Sequence, residues 1–282
     1  MELDTVTLEP ITAGTCIVRN TGAARGRTHY VTPGVAPSRY LRYGRIILAA
    51  SDDPVQFDTN QFEVGVVVLG GGCTVSVGEW RNTLDRYDAV YIPRDASVQI
   101  VAGSNGCDLA EIAAPVSKPH PLQVVRFADI QHDPGLHFEA GGSAARRDLN
   151  VLIGKNVQAG RIMAGVTFSE PGNWTSWPPH EHAAMLEEAY LYIDMPAPSF
   201  GVQLVYTDAH EPELATIVRE GDLVLMPQGY HPNVAAPGGV INFLWMMAAN
   251  REDADRQYGV VNVHPDFADL GSGLDKGRSE KR

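Results

Sequence analysis

Hydrophobic residues in this chain fall into short runs rich in Val, Ile, Leu and Tyr, with Gly or Pro between them every ten residues or so. The clearest runs cover 45–49, 64–69, 89–92, 161–168, 201–206 and 240–247. Branched and aromatic side chains suit a pleated, half-buried surface, and the flanking Gly and Pro supply turns. Runs this short, with turn formers at both ends, predict strands and an all-β fold of barrel or sandwich type. Helical periodicity is scarce; only 251–258 predicts a short helix.

The strand pattern repeats. Tyr87-Asp88-Ala89-Val90-Tyr91-Ile92-Pro93 reads against Gly221-Asp222-Leu223-Val224-Leu225-Met226-Pro227, with Asp88, Val90 and Pro93 matching Asp222, Val224 and Pro227 at one offset. Upstream, the run opening at Glu63 reads against the run opening at Glu188, at a different offset. Two copies of one β-fold account for this. Asp133-Pro134-Gly135 and Gly141-Gly142 break the pattern between the copies, which places two jelly-roll barrel domains over 1–135 and 136–270. A polar tail over 271–282 is expected to be disordered.

The copies differ in chemistry. Pro178-Pro179-His180-Glu181-His182 is followed by Glu188, at the head of a strand-like run, and later by Gly229-Tyr230-His231 after a second run. On a strand, residues two apart point the same way, so the His180 and His182 imidazoles share a face, whereas on a helix they would diverge by roughly 200°. Three imidazoles and a carboxylate from separate strands make a ligand set suited to Zn²⁺, Mn²⁺ or Fe²⁺. In the first copy Ser97 takes the place of His231, and no histidine occurs between Pro33 and Lys118. That copy therefore lacks the site and is expected to be structural, covering a sheet face, supporting its partner or making a dimer contact.

Charge narrows the partners. The 22 basic and 34 acidic residues give a net charge of −12, which disfavours nucleic acid and anionic membrane as partners, since both require a basic footprint. Cys16, Cys73 and Cys107 are odd in number and widely spaced, so free thiols in a reducing compartment are expected. No segment approaches a membrane span and the first ten residues lack a signal-peptide pattern, which points to the cytoplasm.

His-x-His, the downstream Glu, a Gly-to-Pro strand and the following Gly-x-His resemble the two signature motifs of the cupin superfamily, though many cupins place two residues between that Gly and His. Across about 145–265 the likeness sharpens. Gly172-Asn173-Trp174-Thr175-Ser176-Trp177, Glu187-Glu188, Val205-Tyr206-Thr207-Asp208 and Pro227-Gln228-Gly229-Tyr230-His231-Pro232 resemble the sugar-acid ketol-isomerases that act on 5-deoxy-glucuronate in inositol catabolism. The short His182-to-Glu188 spacing and Phe243-Leu244-Trp245-Met246-Met247 look more like the sister enzymes acting on 5-keto-4-deoxyuronate. The resemblance implies a bicupin with a degenerate N-terminal half. It also implies a divalent metal, zinc or else manganese or iron, on His180, His182, Glu188 and His231, and conversion of 5-deoxy-glucuronate to 2-deoxy-5-keto-gluconate. Two departures stand out: Glu181 occupies a position that carries Lys in the inositol enzymes, and Leu204 one that carries Arg.

For that chemistry Gln203, Tyr190 and Tyr230 are the catalytic candidates, and Arg161, Arg251 and Trp174 the substrate-binding ones. Glu187, the neighbour of Glu188, should point the opposite way along the strand, outward or paired at an edge. The partner expected is a small sugar acid, with a homo-oligomer open. Two other readings share the ligand set: an Fe²⁺-dependent cupin dioxygenase and a non-catalytic sugar-acid-binding cupin.

Overall fold

The computed structural model describes residues 10–271 and 273. It is all-β, with antiparallel pairing throughout its sheets. In the N-terminal half an eight-stranded sheet runs Gly26–Val31, Arg42–Leu48, Ser97–Pro115, Phe62–Val77, Ala89–Ile92 and Gln123–Val125, with Val55–Asp58 and Trp80–Leu84 paired beside this path. The C-terminal half holds a seven-stranded sheet centred on Leu186–Tyr192, Phe243–Ala249 and Ile162–Ser169, and a four-stranded sheet centred on Asn233–Ala235 and Gly201–Val205. Among the described residues helix is limited to single turns at Ala13–Cys16 and Phe127–Ile130 and a 3₁₀ segment at Pro265–Leu270. Residues 251–258 form turns instead of the short helix expected there, closed by the Arg251–Asp255 pair.

The halves interlock. Ile17–Val18, from the N-terminal arm, pairs with Val224 and Leu223 in the C-terminal sheet, so the chain crosses before its first long sheet begins. One hydrophobic core lies within the N-terminal half, around Ile46, Val66, Ile100 and Leu109. The other runs from Leu41, Tyr43 and Tyr91 across the junction into the seven-stranded sheet. At Gly65 the two sheets approach closely enough that a Cβ would lie 2.8 Å from the Ile153 side chain, which is why the smallest residue stands there.

Two buried carboxylates tie this junction together. Glu63 accepts hydrogen bonds from the backbone N–H groups of Gly160 (2.8 Å), Arg161 (2.6 Å) and Ile162 (2.8 Å), and from the Tyr91 hydroxyl (2.7 Å). Glu187 returns the arrangement, accepting from Arg39 (2.6 Å), Tyr40 (2.6 Å) and Leu41 (2.9 Å) of the N-terminal half. Each triplet of N–H groups lies at the start of a strand, where successive donors form a concave anion cradle. Glu187 does point away from Glu188, but its face is the buried junction and not solvent.

These contacts also correct the repeat. Val66 pairs with Val90 and Tyr190 with Val224, so the register sets Val64 against Glu188 and Glu63 against Glu187. On this alignment Val64 stands where Glu188 does, and Glu63 and Glu187 each accept from backbone N–H groups across the junction. Of the tail expected to be disordered, only Gly271 and Gly273 are described; 272 and 274–282 lie outside the described residues. No helix among the described residues is long and apolar enough to cross a membrane. All three cysteines are free and buried, and burial pushes the Cys73 and Cys107 thiols up to about 12 and about 11.

Replacing Glu187 by Ala leaves three buried N–H donors unpaired and is expected to destabilise the protein by about 3–5 kcal/mol. Lys118→Ala, at the exposed pair with Asp253, should leave the unfolding midpoint almost unchanged. Urea unfolding of both variants checks the contrast; equal midpoints would remove the junction role of Glu187.

Candidate metal centre and its pocket

One face of the seven-stranded sheet builds the floor of a cavity. Cross-strand pairs share a face, so Leu149, Thr167 and Phe243 form one row and Trp245 and Tyr190 the next. Met247 and Glu188 form a third row. Gly165 sits beside Trp245, and a Cβ there would lie 2.2 Å from the indole; its absence lets the large ring lie down in the floor. His180 enters from the short His180–Glu181 strand, paired with Asn262–Val263, and His182 follows it immediately. His231 comes from the turn after Leu223–Met226, where Gly229 adopts φ 88°.

The ligand atoms of His180, His182 and His231 lie within 4.8 Å of one another. Each imidazole is oriented through its Nδ1. His180 Nδ1 bonds the Pro178 carbonyl (2.9 Å), His182 Nδ1 that of Leu186 (3.3 Å) and His231 Nδ1 that of Gly229 (2.9 Å). A carbonyl only accepts, so Nδ1 carries the proton in all three rings and the Nε2 lone pairs face inward. Glu188 Oε2 completes the set, 3.0 Å from His182 Nε2 and 3.1 Å from His231 Nε2.

That convergence calls for a cation. His231 Nε2 is buried and has no hydrogen-bond partner despite its nearness to Glu188. Burial, reinforced by the neighbouring His231 and His182, pushes His180 down to about 3, so it stays neutral. Burial alone would raise Glu188, but the imidazoles of His182 and His231 pull it down to about 2. Burial also opposes charge on His182, yet the bond to Glu188 outweighs it and raises its pKa. A divalent ion would take the inward lone pairs and satisfy the orphaned nitrogen. The donor set therefore fits a borderline divalent metal of tetrahedral or higher coordination.

The other predicted residues divide. Tyr190 lines the cavity, its hydroxyl 2.8 Å from Ser176 Oγ, and Ser176 takes a left-handed φ of 49° to reach it. Gln203 does not line it. Its amide donates to the carbonyls of His231 (2.9 Å) and Leu204 (2.7 Å) and accepts from Tyr192 and Asn233, which fixes the segment carrying His231. Tyr230 packs between Tyr206 and His264 outside the cavity wall, and Trp174 packs on Trp177. Arg161 belongs to the junction: it stacks 4.0 Å over Tyr40 and donates to the carbonyls of Pro115, Ala249 and Asn250. Arg251 is 73% exposed and paired with Asp255. Neither arginine is among the residues that line this cavity.

Arg147, absent from the predicted set, does line the cavity and is only 2% exposed. It opens a strand in phase with inward-facing Leu149 and Val151, and that phase was the available signal. Tyr258 forms part of the opposite wall, stacked 5.0 Å from Trp245.

Residues 16–268 match the KduI/IolB family. The chain is 28% identical to the 5-deoxy-glucuronate isomerase of Geobacillus kaustophilus (strain HTA426), over 79% of this chain and 84% of that protein. It is 26% identical to the enzyme of the same name from Bacillus subtilis (strain 168), over 76% and 83%. Among solved structures, an IolB-like protein from Salmonella typhimurium LT2 superposes with a TM-score of 0.78 at 20% identity, covering 90% of this chain and 98% of that one. The oxalate decarboxylase of Lactobacillus farciminis, in complex with formate, gives 0.59 at 12% identity, over 86% and 88%. These two likenesses place the all-β fold among cupin-like structures.

Purified protein should carry about one divalent metal per chain by elemental analysis, and His231→Ala should carry almost none while remaining folded. Stripping the metal with a chelator should lower Tm, and restoring it to 100 times Kd should return about 2.7 kcal/mol. Full metal occupancy in His231→Ala would remove that residue from the ligand set.

Proposed function

The chain belongs to the KduI/IolB family, and we propose that it is a metal-dependent ketol-isomerase converting 5-deoxy-glucuronate to 2-deoxy-5-keto-gluconate. The observation that carries this reading is the inward convergence of three Nδ1-anchored imidazoles and Glu188 on a cavity floored by apolar and aromatic side chains. The names of the relatives supply the substrate class. His180, His182, Glu188 and His231 would hold the metal, which when bound supplies a Lewis acid for a carbonyl and its neighbouring hydroxyl.

An aldose–ketose isomerisation moves one hydrogen from C2 to C1 and one proton between the two oxygens, with no net oxidation. The chain's own residues provide the rest. Tyr190 and Ser176 form a hydroxyl pair at the cavity wall, placed to hold and pass a proton at the substrate oxygens. Leu149, Phe243 and Met247 exclude water from an enediol that would otherwise collapse unproductively. Gln203 keeps the His231 segment fixed through its backbone. We also take the two halves, roughly 1–135 and 136–270, as duplicated cupin units of which only the second retains a ligand set. The matched positions Val64 and Glu188, and the shared junction carboxylates, support that reading.

Proton NMR of the metal-loaded protein with 5-deoxy-glucuronate under anaerobic conditions tests the proposal. Conversion to the 2-deoxy-5-keto acid is expected without oxygen, and in D₂O solvent deuterium should enter the product to the extent that the transferred proton exchanges. No conversion would overturn this assignment and turn attention to 4-deoxy-5-ketouronates, or to oxygen-dependent chemistry if turnover then required air.

A further inference from the structure

Among the described residues Arg147 has no anionic partner. Its guanidinium donates to the backbone carbonyls of Ala145 (3.0 Å) and Gly273 (2.9 Å). Arg45, the other arginine buried as deeply, is held bidentate by Asp108 at 2.7 Å. Arg256 is also bonded to carbonyls alone, but it does not line the cavity, whereas Arg147 does. Burying a guanidinium without a counter-charge is costly, and burial depresses its pKa accordingly. An anionic ligand in the cavity would supply the missing counter-charge.

Arg147 and Glu188 both line the cavity and stand three strands apart in the sheet order. The buried Trp245 indole N–H has no partner among the described residues either, but its row adjoins that of Glu188. The cavity therefore has imidazole and carboxylate acceptors at one end and the Arg147 guanidinium at the other.

We propose that Arg147 receives the substrate carboxylate and thereby selects open-chain sugars that carry an acid group remote from the reacting carbonyl. This deepens the isomerase reading and rests on it for the direction in which the substrate lies: carbonyl toward His180, His182 and His231, carboxylate toward Arg147. Arg147 touches the substrate but not the reacting atoms, so its loss should act chiefly on KM and on discrimination between charged and neutral sugars.

The experiment is steady-state kinetics of the metal-loaded enzyme on 5-deoxy-glucuronate and on its neutral counterpart, with CH₂OH in place of the carboxylate. Wild type should prefer the acid by at least ~100-fold in kcat/KM, since a site built around a hydrogen-bonded group rejects the analogue that lacks it. Arg147→Met should lose that preference by slowing on the acid alone, and Arg147→Lys should recover part of it. Metal content and Tm report whether each variant is folded. Equal use of both sugars by wild type, or an unchanged preference in a folded Arg147→Met, would overturn the proposal, and the first comparison needs no variant. Thermal shift with gluconate against glucitol gives a readout independent of turnover. A gluconate shift that requires Arg147, in a protein inactive on both sugars, would uphold the anion site while the isomerase reading falls; no shift and no discrimination would remove the site.

Discussion

The reciprocal burial of Glu63 and Glu187 organises everything else in the molecule. Among the described residues neither carboxylate forms an ion pair; each accepts hydrogen bonds from three successive backbone N–H groups of the opposite half. A buried carboxylate deprived of those donors would be intolerable, and so would the donors deprived of it. Neither half can close its hydrogen bonding alone. Because Glu187 and Glu188 are adjacent on one strand, alternation turns one into the junction and the other into the cavity. The strand carrying the metal-type carboxylate is thereby anchored from behind, and a shift of one residue would exchange the two roles and destroy both.

The cavity in front of that strand depends on the same economy of fixed donors and acceptors. Backbone carbonyls orient the imidazoles, an amide steadies the His231 segment and the glycine at 165 lets an indole lie flat in the floor. Apolar rows between these polar ends keep the interior dry, and in a dry interior each charge acts over a longer range than in water. The cavity thus holds the histidines and Glu188 toward one end and the Arg147 guanidinium toward the other, as the proposed carboxylate site requires.

Much of this was legible in the residue order. Period-two hydrophobicity and frequent turn formers marked the strands, and the runs at 89–92 and 201–206 fall close to the strands observed. His180, His182, Glu188 and His231 stood out because strand spacing and turn chemistry made their side chains face one another in principle. Other features were invisible for physical reasons. Arg147 opens one strand and Arg161 stands just before another, and only the packing of the cavity against the first and the junction against the second separates them. Glu187 looked like a solvent-facing residue because alternation fixes which way a side chain points and not what waits there. Gln203, a polar residue in an apolar strand, did mark a hydrogen-bonded position, but its partners are backbone groups.

The three Nδ1–carbonyl bonds have a further consequence. Each carbonyl lies only two to four residues from the histidine it holds, so the rings are aligned by local chain geometry before any ion arrives. A cage preformed in this way offers imidazole and carboxylate to every borderline ion that enters. Intrinsic affinity would climb along the ordinary order of first-row metals, so selection of any one of them would have to come from geometry or from metal availability. If an ion binds there, the same polypeptide made in two cells with different metal stocks would be two different holoenzymes.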